Sequence, residues 1–363
     1  MTLRIALVGG PMYDHLYPVF DEFDVEVIVH ADHPTLNRRV AQMLAAGERI
    51  DLLSTHSKYA PSQAHWLQPL DSLIGVDSDL LLDSLAPLAV DLCRYNGQLL
   101  TLPRLIDVRI MWLRKNQVDV VPTTWQEIID SPLRFGFPGR ESGLFGTFFE
   151  MVIGAGGSIF DQDQRPCFIS EHSIRAIEML TSLATKLPTD LPNWHYDQVD
   201  DALLRGVVDA SGAWPGAWGQ ILTSGQGDLL QPFRYPSGLQ RWVSYAGCHA
   251  WGIPATAGDL DAAVTLLRYL MSADVHARDA QSGSMCANVQ ALSKVEPVNE
   301  TDRQRLLITR DTINQAMITY PSHVRFPEVE DAGWMLINEA IRGLKSPQDV
   351  VESLQSIAQS VFA

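Results

Sequence analysis

Apolar residues along this chain recur with two periods. Leu3–Val8 and residues 25–29 are short apolar runs bounded by turn residues, the pattern of buried strands. Residues 16–23, between these runs, and 36–46, after the second, place apolar side chains three and four apart, which predicts helices, the later one stopped by Gly47. Residues 51–55 predict a third strand. Strand, helix, strand, helix, strand builds a parallel sheet with helices on both faces, and ligands collect beyond the carboxyl ends of its strands. Met12, Tyr13 and His15 after the first strand, and His56, Ser57, Lys58 and Tyr59 after the third, are expected there.

The middle of the chain carries denser signals. Asn96-Gly97 between Tyr95 and Leu99-Leu100 predicts a two-residue hairpin. Pro103 is expected to close the short strand that follows, and residues 107–113 to form a second, buried strand. Thr123 or Thr124 can cap a helix, with Glu127 in its first turn supporting the cap. Hairpin, proline, strand and capped helix in this order predict a crossing from one lobe to another. Beyond it, residues 134–139 predict a strand ending in a glycine turn, with the loop Gly139-Arg140-Glu141-Ser142 after it. Residues 145–153 predict a buried helix and 259–272 an amphipathic one.

Length allows two lobes, since one core of 363 residues would be unusual. With 27 Lys and Arg against 43 Asp and Glu, the formal charge is −16, which repels phosphate backbones and argues against nucleic-acid binding. Cys93, Cys167, Cys248 and Cys286 form no CxxC pair and read as small buried hydrophobes, with a Cys248–Cys286 bridge open. No apolar run is long enough to span a membrane. The opening residues read as a first strand and not as an export leader; a removed leader and a cytoplasmic chain both fit.

Catalytic signatures are missing: there is no HExxH, GxSxG, Walker loop or GxGxxG. The pair His30 and His33 has a spacing that could hold a metal but reads as solvated loop. Neither a cofactor nor a metal site is expected.

Several segments match, in order and spacing, a recurring family pattern. They are Tyr95-Asn96-Gly97-Gln98, Leu102-Pro103, Trp112-Leu113-Arg114-Lys115, and Pro122-Thr123-Thr124-Trp125-Gln126-Glu127. Leu44-Ala45-Ala46-Gly47, Trp66-Leu67-Gln68-Pro69-Leu70-Asp71 and the Gly154-to-Asp161 turn extend the match over nearly the whole chain. The sequence resembles the family 1 extracellular solute-binding proteins, the sugar-capturing subunits of ABC importers. It departs from them at His56, where a strand-end Asp or similar residue is usual, and at Val208-Asp209-Ala210-Ser211, which stands for a small-to-Met packing step.

The resemblance implies an α/β, two-lobed fold of the type II periplasmic-binding-protein kind. The N-terminal lobe would hold residues 1–110 and about 255–312, and the C-terminal lobe about 111–254 and 313–363. A carbohydrate, from monosaccharide to short oligosaccharide or derivative, would sit in a cleft between lobes that close by hinge bending, for delivery to ABC permease subunits in the membrane. A monomer in the periplasm or cell envelope is implied, with a cytoplasmic sugar sensor of the same fold, or an enzyme on a two-lobed scaffold, as alternatives.

A sugar presents an apolar C–H face and a rim of hydroxyls, so its binder needs flat aromatic platforms and planar polar groups. Trp214 and Trp218, flanking a Pro-Gly turn, and Trp251 are the candidate platforms, with Trp214 foremost. Tyr13, His56, Arg104, Asp107, Arg109, Glu141 and His249 are the candidate polar contacts.

Overall fold

In the computed structural model, residues 1–10, 13–75 and 78–362 are described, so that Pro11 and Met12 of the first strand-end turn fall outside this range. The chain forms two compact units, Met1–Asp107 with Gly247–Glu296 and Val108–Ala246 with Pro297–Ala363. The second crossing precedes the strand Gly247–Gly252, which pairs within the first unit, whereas the resemblance placed it near residue 254. The helix Glu300–Gln315 groups with the second unit rather than the first.

The first unit is built on a five-stranded sheet in the order Val25–Ala31, Leu3–Val8, Leu52–His56, Gly247–Gly252, Leu102–Asp107. The first three strands are parallel, but Gly247–Gly252 runs antiparallel to both its neighbours. The sheet is therefore mixed and not wholly parallel, because a returning segment is inserted in reverse. That reversal brings the beginning of Gly247–Gly252 to the edge where its neighbours end. Ala6, Val8, Val29, Leu36, Val40 and Leu53 pack on one face with the helix His33–Ala45. This helix starts earlier than its apolar pattern indicated, because Asp32 caps it by accepting the Thr35 N–H at 2.9 Å.

The hairpin joins Arg94–Tyr95 to Gln98–Leu99, with Asn96 at φ 49° and Gly97 at φ 80°, the paired left-handed residues that a tight hairpin turn requires. Pro103 does not close a strand. It lies inside Leu102–Asp107, opposite Ala250, where a register shift at His249/Ala250 accommodates its missing N–H. The single strand expected over 107–113 is instead two, Leu102–Asp107 and Ile110–Arg114, each paired in a different unit. Apolar continuity cannot register such a break, since both halves are buried.

In the second unit the sheet order is Leu230–Phe233, Ile110–Arg114, Ala210–Ala213, Phe135–Gly136. The helices Glu300–Gln315 and Tyr196–Leu204 lie against its strands, and Glu141–Gly154, Glu171–Ala184, Phe326–Ile341 and Pro347–Phe362 pack on one another in the same apolar core. The helix Glu141–Gly154 is buried nearly all round, as its continuous apolar run requires. Its start takes in Glu141 and Ser142, which the sequence pattern assigned to a loop. Thr124 and Glu127 form a reciprocal capping box at the helix Trp125–Asp130.

All four cysteines are free thiols, and Cys248 neighbours Cys93, with sulfurs 3.6 Å apart, instead of Cys286. No helix among the described residues is long and apolar enough to cross a membrane.

Candidate functional site

Four strands of the first unit deliver polar side chains to one sheet edge. Tyr13 follows Leu3–Val8, His33 opens the helix after Val25–Ala31, His56 ends Leu52–His56, and Asp107 ends Leu102–Asp107. His249, near the start of the reversed strand, lies opposite His56. The five side chains form one cluster. His33 Nε2 is 3.2 Å from His249 Nδ1, and His249 Nε2 is 2.9 Å from the Tyr13 hydroxyl and 3.4 Å from Asp107 Oδ2. His56 Nε2 reaches the same carboxylate oxygen at 3.2 Å, while its Nδ1 accepts the Lys58 backbone N–H at 3.2 Å. Gly247 is required here, because a Cβ at that position would lie 2.3 Å from His56 Cε1.

Burial dominates the electrostatics of this edge. It pushes His33 and His249 well below the usual imidazole range and His56 down to about 3, with the Lys58 charge adding to the effect at His33 and His56. The carboxylate of Asp107 acts the other way on His249, and the imidazole pulls Asp107 down, yet burial outweighs both and Asp107 is raised. The imidazoles are thus neutral at physiological pH, and each offers one donor and one acceptor. Among the described residues no set of three or more His, Cys, Asp or Glu is arranged to hold a metal ion.

The second unit has an aromatic cluster of its own, whose surface is formed by half-buried Trp214 and Tyr196 over the buried Tyr245 and Tyr320. Half-buried Trp214 meets Tyr196 edge-on at 5.8 Å and Tyr245 at 6.3 Å, and Tyr245 stacks on Tyr320 at 4.2 Å. Beneath Trp214 lies the Arg109 guanidinium, 4.9 Å from the ring centroid. Ser142 Oγ and the Tyr196 hydroxyl share a hydrogen bond of 2.7 Å at the margin of this surface.

A mixed α/β chain in two units is what comparison with known proteins resolves. The sequence model of the bacterial extracellular solute-binding proteins matches residues 22–277. The chain belongs to that family. A curated relative of this solute-binding protein, a probable amino-acid ABC transporter periplasmic-binding protein (y4oP) of Sinorhizobium fredii, is 24% identical over 300 residues, 78% of this chain and 69% of the relative. Among solved structures, maltose-bound MalE3 of T. maritima aligns over 99% of both chains at TM-score 0.85 and 18% identity. The solute-binding protein of Agrobacterium radiobacter K84 in complex with ribitol aligns over 100% of this chain and 99% of its own, at TM-score 0.87 and 20% identity. A Thermotoga lettingae protein bound with α-D-tagatose aligns over 100% of both at 0.87 and 18%. At these identities the structural likeness establishes the fold. Membership of an extracellular family of ABC-importer subunits means that this solute-binding protein has a small-molecule ligand and a permease as its partners.

Of the residues singled out from sequence, Tyr13, His56, Asp107 and His249 come together at the first unit's edge. Arg104 and Trp251 do not join them. Arg104 makes a bidentate pair with Asp279 at 3.1 and 3.2 Å, its guanidinium 4.8 Å from the Trp251 ring, and both side chains are core. Arg109 is 1% exposed and bound by Glu150, with Thr147 Oγ1 at 2.9 Å. It supports Trp214 from below. Trp218, expected beside Trp214 as a second platform, turns inward on the helix Ala217–Thr223 and stacks on Trp112 at 5.7 Å with planes 6° apart. Glu141 sits at the start of its helix with φ 57°, a strained value for a non-glycine, and meets His195 at 3.0 Å.

Sequence reasoning set His33 aside as solvated, and missed Tyr196, Tyr245 and Tyr320. The Asp32 cap directly after an apolar strand marked a helix start at the sheet edge and could have placed His33. Nothing local marks the three tyrosines: Tyr196 and Tyr245 meet Trp214, and Tyr320 meets Tyr245, only through packing.

Proposed function

We propose that this solute-binding protein captures a polyhydroxylated solute, a monosaccharide, short oligosaccharide or polyol, and delivers it to an ABC permease. Ligand contacts in the first unit are assigned to Tyr13, His33, His56, Asp107 and His249, and in the second to Trp214. The observation that supports this reading best is the chemistry of the first-unit cluster, neutral imidazoles around one carboxylate, since hydroxyl rims need interleaved donors and acceptors and not fixed opposite charges. Trp214 adds a ring of the size and flatness that a sugar's C–H face requires. Neighbouring structures of the same fold hold maltose, ribitol and tagatose, which supports the same class.

An amino-acid ligand is the second reading, favoured by the name of the Sinorhizobium relative. It requires a cation free to take an α-carboxylate, and Arg104 and Arg109 are both committed to buried carboxylates. On the proposed reading the chain binds and releases its solute unchanged, so it is not an enzyme, and it works as a monomer in the periplasm or cell envelope.

A thermal-shift screen of sugars, polyols and amino acids, with wild type beside Trp214→Ala, tests the assignment. A solute at ~100 times its Kd adds about 2.7 kcal/mol of stability. A shift with one sugar or polyol class, lost in the variant, is expected. Shifts from amino acids alone would replace the carbohydrate reading with the second one.

A further inference from the structure

Hydrogen bonds in the first-unit cluster constrain where its protons lie. His56 Nδ1 accepts the Lys58 amide, so its one proton is on Nε2 and is donated to Asp107 Oδ2 at 3.2 Å. His249 Nε2 faces that same oxygen at 3.4 Å and the Tyr13 hydroxyl at 2.9 Å. A carboxylate can only accept, and a lone pair aimed at it would be repelled, which favours a proton on His249 Nε2. His249 Nδ1 is then an acceptor, and His33 Nε2 donates to it at 3.2 Å. The last atom of this relay is His33 Nδ1, a lone pair that is buried and has no partner among the described residues. A buried acceptor left unpaired is costly, so such an atom calls for a donor.

The geometry points to His33 as the specificity-determining residue of the solute site, its Nδ1 accepting a hydrogen bond from a solute O–H or N–H donor. This rests on the proposed solute-capture reading and adds the polarity of one subsite. Asp107 orients the two imidazoles through His249, as a carboxylate orients a histidine in any polarised relay, so the acceptor is strengthened and its tautomer fixed. Solutes that place an ether oxygen or a bare carboxylate at this position meet a lone pair and are rejected.

The test uses the full chain labelled with 15N-histidine. Long-range 1H–15N correlations near neutral pH, without solute, are expected to show His33 neutral, protonated on Nε2 and bare on Nδ1. Ribitol, D-tagatose, maltose, a mixture of neutral amino acids and zinc chloride are then titrated separately, with the melting temperature followed in parallel. The organic probe that raises the melting temperature should also move the His33 Nδ1 resonance. His33→Phe should weaken that probe by roughly 10- to 100-fold, as expected for a lost buried hydrogen bond. His33→Asn, which returns a polar atom near the Nδ1 position, should recover part of the loss.

A proton found on His33 Nδ1 overturns the inference, as does a bound polyol that leaves His33 Nδ1 unmoved; in that second case solute capture stands. An amino acid that binds and moves Nδ1, with no response to polyols, keeps the His33 assignment and removes the carbohydrate reading. Zinc as the sole probe to move Nδ1, or no binding by any probe, overturns the inference.

Discussion

Acidification should weaken the first unit and strengthen the second. Four first-unit histidines, His33, His56, His249 and His276, are held below the ordinary imidazole value by burial, His56 at about 3 and His276 at about 4. A base depressed in the folded state contributes stability that is present above its unfolded value, near 6.5, and is lost as pH falls toward the folded one, because only the unfolded chain takes up the proton. Each imidazole that stays neutral costs ~1.4 kcal/mol between about pH 7.5 and 5.5. Four together cost on the order of 5 kcal/mol, less the share of partly exposed His33 and the opposing effect of Asp107, which burial raises. In the second unit, burial beside Asp197 pushes buried Asp200 up to about 8. A raised carboxyl contributes stability below its unfolded value that is lost as pH rises through the folded one, so the same acidification adds roughly 2–3 kcal/mol there. Hydrogen–deuterium exchange of the intact chain at the two pH values, corrected for intrinsic rates, reads both units at once. Opening free energies should fall for Leu3–Val8 and Leu52–His56 and rise for the helix Tyr196–Leu204. Equal shifts in both units, or a first unit protected better at low pH, would refute the assignment of neutral buried imidazoles.

Three further outcomes follow from packing and charge. Trp218→Ala should cost ~3–5 kcal/mol in denaturant unfolding, because it removes a fully buried ring stacked on Trp112, while solute affinity in the folded protein stays unchanged. Arg104→Met should cost ~3–5 kcal/mol by stranding the Asp279 carboxylate, and adding Asp279→Leu should restore much of it; equal instability of single and double variants would contradict the buried-pair account. Gly247→Ala drives a Cβ into the His56 ring, so calorimetry should show a loss of ~1–3 kcal/mol and titration a weaker solute affinity; an unchanged pair of values would show that the imidazole is not confined there.

What the sequence determined by itself was local. The Asn96-Gly97 turn, the Thr124–Glu127 capping box and the strand Leu3–Val8 depend on backbone dihedrals and hydrogen bonds among residues a few positions apart, so their signals are complete within a short window. The ordered motifs along the chain likewise carried the family, and with it the two-unit α/β fold. Tertiary structure alone decided which of the chemically suitable residues share a surface. Trp214 and Trp218 lie one short turn apart, yet one stays half-buried beside Tyr196 and the other enters the core, because Trp112 arrives on a distant strand to cover it. Arg104 and Arg109 looked like free forks for a ligand until Asp279 and Glu150, far along the chain, closed on them. The histidine cluster needs five separate segments, one of them a reversed strand, to meet at a single sheet edge. Pairing across the sheet, and not the character of any one segment, brings His33, His56 and His249 together.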